Sequence, residues 1–359
     1  MTPPRPARAS RTRYSGIPLN ETDSHHPDES RCEESIRLIH VVQGVEQFRG
    51  SERIQTSRVA TMKPIGLGTS SLGGLFAEMT DSAARATVDH AWEVGIRHFD
   101  TAPLYGSGVS ERRLGEALRT RPRDEFILST KVGRILRPGE PDSLFVGAPR
   151  LAAVADYSAA GMLGSLHESL ERLGLDRVDI ALVHDPEDHL EEALAGTQTV
   201  RRVVAQVGVG TNFVATAKAF VGAGLVDVVL LAGRYTLLDR SAEDFLSMAA
   251  DRGVEVVAAG IYNSGILAGG TTFDYRTAKP DIVARVASIR DACNRHAIPM
   301  RAAAIQFVLR HPGVTRIVVG AKSAAEVEEN IRLASVAIPD AFWHEEAIVQ
   351  PNYESVRNI

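Results

Sequence analysis

Eight short runs rich in apolar and β-branched residues recur along the chain with helical stretches between them, and no other feature restricts the fold as strongly. The runs are IGLGT (65–69), HFDTA (98–102), FILSTKV (126–132), DIALVHD (179–185), QVGVGTN (206–212), DVVLLAG (227–233), EVVAAGI (255–261) and RIVVGA (316–321). Helical periodicity is clear over Ser82–Val94, Glu111–Leu118, Ser158–Leu173, Ala242–Asp251, Ile282–Arg295 and Ala325–Leu333. Strands alternating with helices build parallel sheet, because parallel neighbours need a long crossover between them. Eight such units over about 300 residues match a single (β/α)8 TIM barrel. The competing doubly wound sheet carries a glycine fingerprint directly after its first strand. GLGTSSLGG has glycines at other spacings and leads into a loop, so that reading is rejected.

Residues 1–61 are rich in Pro, Arg, Ser, Asp and Glu, and their one apolar patch, IRLIHVV, is too small for a core. This stretch is expected to be a flexible, disordered leader. Met62 opens MKPIGLGTSSLGG, where apolar patterning begins, so a start codon assigned upstream of Met62 accounts for the leader; a regulatory arm is the alternative. The barrel is expected over 62–359. A net charge of −5 with 24% charged residues creates no field that would recruit nucleic acid or an anionic membrane, so the expected partner is a small molecule. No apolar run is long enough to span a bilayer, and the N-terminus lacks the apolar region of a secretory signal. Cys32 and Cys293 support neither a disulfide framework nor a metal cluster, which fits a reducing, cytoplasmic setting.

In a barrel of this kind the reactive groups sit at the C-terminal ends of the strands and in the loops that follow. Asp100 ends the second strand, Tyr105 lies in its loop, Lys131 closes the third and His184 the fourth. Taken singly, each has a bland explanation: a turn-capping aspartate, a packed tyrosine, a rim lysine, a satisfied core histidine. Together, four ionisable groups at equivalent depth on three successive strands converge on one small volume. A tyrosine is a poor acid or base at neutral pH, but a nearby ammonium lowers its pKa and a carboxylate holds that ammonium in place. A histidine opposite would orient a carbonyl oxygen or pass a proton, so the cluster suits proton transfer coupled to hydride movement.

HFDTAPLYGSGVSERRLGEAL, STKVGR, SLERLGLDRVDIALVHDP and VVGAKSAAEVEEN resemble the signatures of the aldo-keto reductase superfamily, in order, from Met62 to about Ala347. The resemblance implies a barrel enzyme that moves a hydride between a nicotinamide cofactor and a carbonyl or alcohol. It puts Asp100, Tyr105, Lys131 and His184 at the catalytic tetrad positions, with Tyr105 as general acid/base and no metal. It places the nicotinamide carboxamide at Thr211 and Asn212. Asn263, Ser264, Gly265 and Leu267, in the loop NSGILAGG, fall where the family covers the pyrophosphate. Gly320, Lys322 and Ser323 match the adenosine ribose end, and Glu329 with Asn330 the adenine pair. The bland alternative for this last segment is an N-capping serine before a solvated acidic helix face.

NADP-preferring relatives tend to carry Arg or Gln at the position of Glu326, whose charge would repel a 2′-phosphate, so the resemblance points toward NAD; Lys322 argues for NADP. Relatives also carry Gln at the end of the sixth strand and an aromatic residue after the seventh, where this chain has Ala232 and Ala259 or Gly260, with Tyr262 as a replacement ring. With AGRYTLLDR, these variants resemble the subgroup of D-threo-aldose (L-fucose) 1-dehydrogenase and pyridoxal 4-dehydrogenase. Oxidation of an aldose at C1 is the activity implied, with Arg234, Tyr235 and Tyr262 as hydrogen-bonding walls. The alternatives are a general NADPH-dependent aldehyde reductase and a nucleotide-binding barrel without turnover. The fourth helix, in ALAGTQTVRRVVAQVGVG, runs about six residues short of relatives, roughly 9 Å of helix, and is expected to strain the connection beside His184.

Overall fold

The computed structural model describes residues 64–349; the leader and its start codon lie outside the described residues. In chain order the strands are β1 (Ile65–Gly68), β2 (His98–Asp100), β3 (Ile127–Val132), β4 (Arg134–Pro138), β5 (Leu151–Ala155), β6 (Ile180–His184), β7 (Gln206–Thr211), β8 (Val228–Ala232), β9 (Glu255–Ala259), β10 (Thr272–Phe273), β11 (Arg276–Thr277) and β12 (Arg316–Gly320). The longer helices are α1 (Asp81–Glu93), α2 (Val109–Leu118), α3 (Ala159–Leu173), α4 (Leu190–Val200), α5 (Val214–Gly222), α6 (Glu243–Asp251), α7 (Pro280–Arg295), α8 (Met300–Leu309) and α9 (Ala324–Ala334).

Eight strands close a parallel barrel in the order β1-β12-β9-β8-β7-β6-β3-β2, each of the eight falling on a run read from the sequence. Two antiparallel hairpins, β4–β5 and β10–β11, stand outside it. Parallel strands covered on one face by helices and on the other by the barrel interior have no solvent face, and β3 and β6 are accordingly buried at every position. The interior is filled by Ile127, Ile180, Leu182, Val228, Leu230 and Val318 among others, and a larger apolar layer lies between strands and helices. Side-chain caps start three of the helices: Thr80, Ser158 and Ser323 accept from Ala83, Gly161 and Glu326 N–H at 3.2, 3.0 and 3.2 Å.

The short fourth helix does not interrupt the barrel. α4 ends at Val200, a turn follows directly, and β6 and β7 pair over five positions from Ile180↔Gln206 to His184↔Gly210. The expected strain beside His184 has no counterpart in this register, because the turn reaches the start of β7 without an added helical turn.

One backbone contact sets the height of the loop after β2. Gly73, in the helical turn after β1, lies against the Tyr105–Gly106 peptide so closely that a Cβ on Gly73 would meet the Tyr105 carbonyl carbon at 2.5 Å. A Gly73→Ala substitution is therefore expected to cost about 1–3 kcal/mol through overpacking, seen as a lower midpoint in urea unfolding followed by circular dichroism.

Candidate active site

Strand register creates the site. Asp100 on β2 pairs with Ser129 on β3, so Lys131, two residues on, points to the same interior one layer higher. Lys131 Nζ donates to Asp100 Oδ2 at 2.7 Å and to the Thr101 carbonyl at 2.9 Å, while Asp100 Oδ1 accepts from Ser129 Oγ at 2.7 Å. Lys131 is 1% exposed. Burial opposes its charge, yet the Asp100 carboxylate and the Tyr105 hydroxyl beside it hold it above the ordinary lysine value.

Tyr105 closes the cluster from above, its ring 4.8 Å from Lys131 Nζ. Burial pushes its hydroxyl up to about 12; Lys131 pulls the other way without overcoming that effect, and Asp100 adds to the rise. The sequence expectation of a lysine-lowered tyrosine thus holds for the direction of the lysine's effect but not for the balance. His184, at the end of β6, meets the Tyr105 ring edge-on at 6.0 Å between centroids. Burial, followed by the charges of Lys131 and Arg134, holds it well below the usual histidine range, so at neutral pH it is an uncharged imidazole. Its backbone is fixed by Tyr157, whose one hydroxyl hydrogen is shared between the His184 and Asp185 carbonyls at 2.5 and 2.8 Å.

These four residues open into a cavity of about 560 Å³ that runs across the C-terminal ends of the strands to the start of α9. Thr211, Asn212, Asn263, Ser264 and Gly265 line it, as do Gly320, Lys322 and Glu326 at its far end. The Thr211 hydroxyl donates to Glu187 and accepts from the Phe213 N–H at 2.9 Å. Asn263 is occupied in the wall: it accepts from the Thr236 hydroxyl at 2.6 Å and donates to the Gly233 carbonyl at 3.3 Å. Glycines 210, 260, 265 and 320 form a long floor without side chains, a cradle that fits an extended dinucleotide. The residues present therefore suit a nicotinamide cofactor.

Other expected contacts fall elsewhere. Leu267 is fully buried in the core and does not line the cavity. Ser323 caps α9, and Glu326 accepts from the Lys322 N–H at 2.8 Å, so the capping arrangement offered as the bland alternative is present. Glu329 is ion-paired with Arg301, and Asn330 accepts from Arg301 and from the Tyr262 hydroxyl at 2.9 and 3.0 Å. Tyr262 lines the cavity, but its hydroxyl is turned to Asn330 on α9 and away from the expected substrate wall. Tyr235 lies outside the cavity, stacked on Phe307 at 5.2 Å and edge-on to His311 at 4.9 Å, because the turn after β8 carries its ring outward onto α8. Arg234 is fully buried, paired with Asp239 and Asp274 at 3.3 and 3.1 Å and bonded to the Asn212 carbonyl at 2.7 Å; it is an anchor and not a wall.

The mouth is completed by residues the sequence reading passed over. The β4–β5 hairpin brings Asp142, Leu144 and Phe145, with Phe145 6.0 Å from the Tyr105 ring. Phe76 and Tyr275 face each other at 6.5 Å across the opening, and both are more than two-fifths exposed. Two short apolar runs, in RILRP and LAAVA, around a Pro- and Gly-containing turn were the available signal for the first hairpin. Among the described residues no helix is long and apolar enough to cross a membrane, and no three His, Cys, Asp or Glu side chains are placed to hold a metal ion.

Known proteins of similar sequence and shape agree with this architecture. D-threo-aldose 1-dehydrogenase from a Pseudomonas species is 38% identical over 302 residues, covering 78% of this chain and 92% of that protein. Pyridoxal 4-dehydrogenase from Microbacterium luteolum is 36% identical over 331 residues, covering 82% and 96%. The solved structure of an aldo-keto reductase from Bacillus halodurans in its holo form superposes with a TM-score of 0.66 at 24% identity, covering 83% of this chain and 96% of that one, a likeness of fold. The aldo/keto reductase family model matches residues 64–348, nearly the whole described barrel, and the chain belongs to that family of oxidoreductases.

Proposed function

We propose that this protein is an NAD-linked dehydrogenase that oxidises an aldose at C1, with Tyr105 as the proton-transferring residue. The observation that carries the reading is the buried Lys131–Asp100 pair directly beneath Tyr105 and facing His184 across the cavity. The name of one relative, D-threo-aldose 1-dehydrogenase, supports an aldose as substrate, and the cavity suits it: the carboxylates of Asp142, Asp185 and Glu187 can accept sugar hydroxyls, while Phe76, Phe145 and Tyr275 offer flat apolar faces to the C–H side of a sugar ring.

A bound nicotinamide would supply the hydride acceptor. The chain's own residues handle the proton. Tyr105, as phenolate, takes the hydroxyl proton of the alcohol, and Lys131 stabilises the phenolate form through charge and a hydrogen bond. Asp100 and the Thr101 carbonyl hold the ammonium against the barrel wall. Neutral His184 orients the same oxygen as it becomes a carbonyl. At the adenosine end, the Glu326 carboxylate occupies the first turn of α9 and accepts from the Lys322 N–H, so an anionic 2′-phosphate would meet a negative charge there.

Fluorescence titration with NAD and NADP, followed by absorbance of the reduced cofactor with a panel of aldoses, pyridoxal and simple aldehydes, tests the proposal directly. Tight nucleotide binding with no turnover of any substrate would overturn it in favour of a binding barrel. Tyr105→Phe is expected to lower kcat by about 10²–10⁴-fold while leaving NAD affinity intact. Because the Tyr105 pKa is raised to about 12, its base form is scarce at neutral pH. Sugar oxidation is therefore expected to speed up steadily from neutral into alkaline pH, whereas carbonyl reduction, which needs the protonated form, stays level over the same range; steady-state rates in both directions check the pair of slopes. Glu326→Arg is expected to move the NADP-to-NAD ratio of kcat/KM upward by about tenfold, roughly 1.4 kcal/mol, and an unchanged ratio would remove Glu326 from cofactor choice.

A further inference from the structure

Below the reactive cluster, the barrel interior holds two polar side chains that the mechanism above does not use. His98 starts β2, and Ser129 lies in the middle of β3; both are buried, at 3% and 1% exposure, in an interior otherwise dominated by Ile, Leu and Val. Strand register stacks them into a column: His98 points inward two residues below Asp100, and Ser129 pairs with Asp100 itself. His98 Nε2 lies 3.3 Å from Ser129 Oγ, and Ser129 Oγ lies 2.7 Å from Asp100 Oδ1. The column continues through Asp100 Oδ2 and Lys131 to Tyr105.

Counting hydrogens fixes its direction. The single Ser129 hydroxyl hydrogen has three acceptors in reach, the Asp100 carboxylate at 2.7 Å, His98 Nε2 at 3.3 Å and the Phe99 carbonyl at 3.4 Å, and the charged, closest acceptor takes it. Toward His98 the serine oxygen then only accepts, so the ring proton of His98 sits on Nε2. His98 Nδ1 is buried without a hydrogen-bond partner, next to the interior face of Gly66, and a second ring proton would be stranded there. Burial above all, and then the positive groups facing the ring, Arg316 at the base of β12 and Lys131 above, disfavour an imidazolium, and Arg316 is itself paired with Glu255.

We infer that His98 and Ser129 are positioning residues: the chain His98 Nε2–H to Ser129 O–H to Asp100 Oδ1 draws charge from the carboxylate and sets how much of the Lys131 charge reaches Tyr105. A donor on Oδ1 makes Asp100 a weaker partner for Lys131 through Oδ2. The ammonium then acts more strongly on the tyrosine hydroxyl and favours its phenolate. Loss of the chain concentrates negative charge on Oδ2, neutralises more of the ammonium and raises the Tyr105 pKa. The inference rests on the proposed role of Tyr105 in proton transfer.

The test compares Ser129→Ala and His98→Leu, which break the chain, with Ser129→Thr and His98→Gln, which keep a donor at each place. In the breaking variants the alkaline rise of sugar oxidation is expected to move up by about half to one pH unit, lowering kcat at neutral pH by about three- to tenfold with KM and NAD affinity unchanged. The conserving variants are expected to stay near the parent protein. A rise that stays in place while the rate falls in step with the thermal midpoint would mean a structural role only and would overturn the inference. Should the parent protein turn over no sugar, the same upward movement is read from the Tyr105 ring-carbon resonance in isotope-labelled tyrosine protein, assigned with Tyr105→Phe, and its absence counts equally against the chain. Nitrogen resonances of isotope-labelled histidine, with His98 assigned by His98→Gln, give an arm independent of activity. The neutral Nε2–H tautomer is expected throughout the neutral range, and an Nδ1–H or protonated ring would refute the direction of the chain.

Discussion

A lysine ammonium with 1% exposure at the centre of a barrel is the constraint around which the rest of the structure is arranged. Removing an ion from water costs several kcal/mol even after relaxation, and only close, well-oriented partners offset it. Asp100 Oδ2 at 2.7 Å and the Thr101 carbonyl at 2.9 Å provide them, and both come from the end of β2 because the β2–β3 register brings Asp100 level with Ser129. A one-residue slip of that register would turn Lys131 into the apolar layer beneath the helices and leave the carboxylate unpaired. The catalytic geometry and the barrel register are therefore one requirement. The same ammonium supplies the charge that pulls the Tyr105 hydroxyl down against its burial.

Space for this column comes from strands that have little of their own to put inside. Interior positions 66 and 68 of β1 and 208 and 210 of β7 are glycines. A Cβ on Gly66 would meet His98 Nδ1 at 3.1 Å, and one on Gly210 would meet Lys131 Cε at 3.4 Å. Large aliphatics, Ile127, Ile180, Leu182, Val228, Leu230, Val257 and Val318, form a separate apolar cluster within the interior. Glycine in a strand is a weak choice for the strand alone, and its recurrence here reflects what must fit opposite.

The barrel was legible because its strands are buried on both faces and read as continuous apolar runs, and all eight fell where the runs were. Helices were less uniformly visible. α5 (VATAKAFVG) and α8 (MRAAAIQFVL) lack a strong polar face, and α8 buries four consecutive residues, Ala302 to Ile305, so the 3.6-residue signal is weak there. The four reactive residues were readable as a group because each closes or follows an identified strand. Side-chain direction was not readable in the loops: Arg234, Tyr235 and Tyr262 are adjacent in function only if their side chains turn toward one cavity. Instead, Arg234 turns into the wall, Tyr235 outward and Tyr262 toward α9. The aromatic mouth was missed for the same reason, since Phe76, Phe145 and Tyr275 come from three loops distant in sequence.

Buried Arg234 links those loops to the cofactor end of the barrel. Its guanidinium grips the Asn212 carbonyl on one side and, in a two-pronged pair, the Asp274 carboxylate on the other. Asp274 and Tyr275 form the central pair of the β10–β11 turn, both with positive φ, at 46° and 62°. Such a turn favours Asn, Asp or Gly, and the bulky Tyr275 in the left-handed region costs roughly 1–2 kcal/mol. A charge-assisted bidentate pair on a fully buried arginine is strong enough to offset that cost. Its effect is to hold Tyr275 opposite Phe76 at the opening. The hairpin, although it projects from the barrel, is thereby fixed to the same backbone segment that carries Asn212, so the cavity mouth and the end of β7 share one anchor.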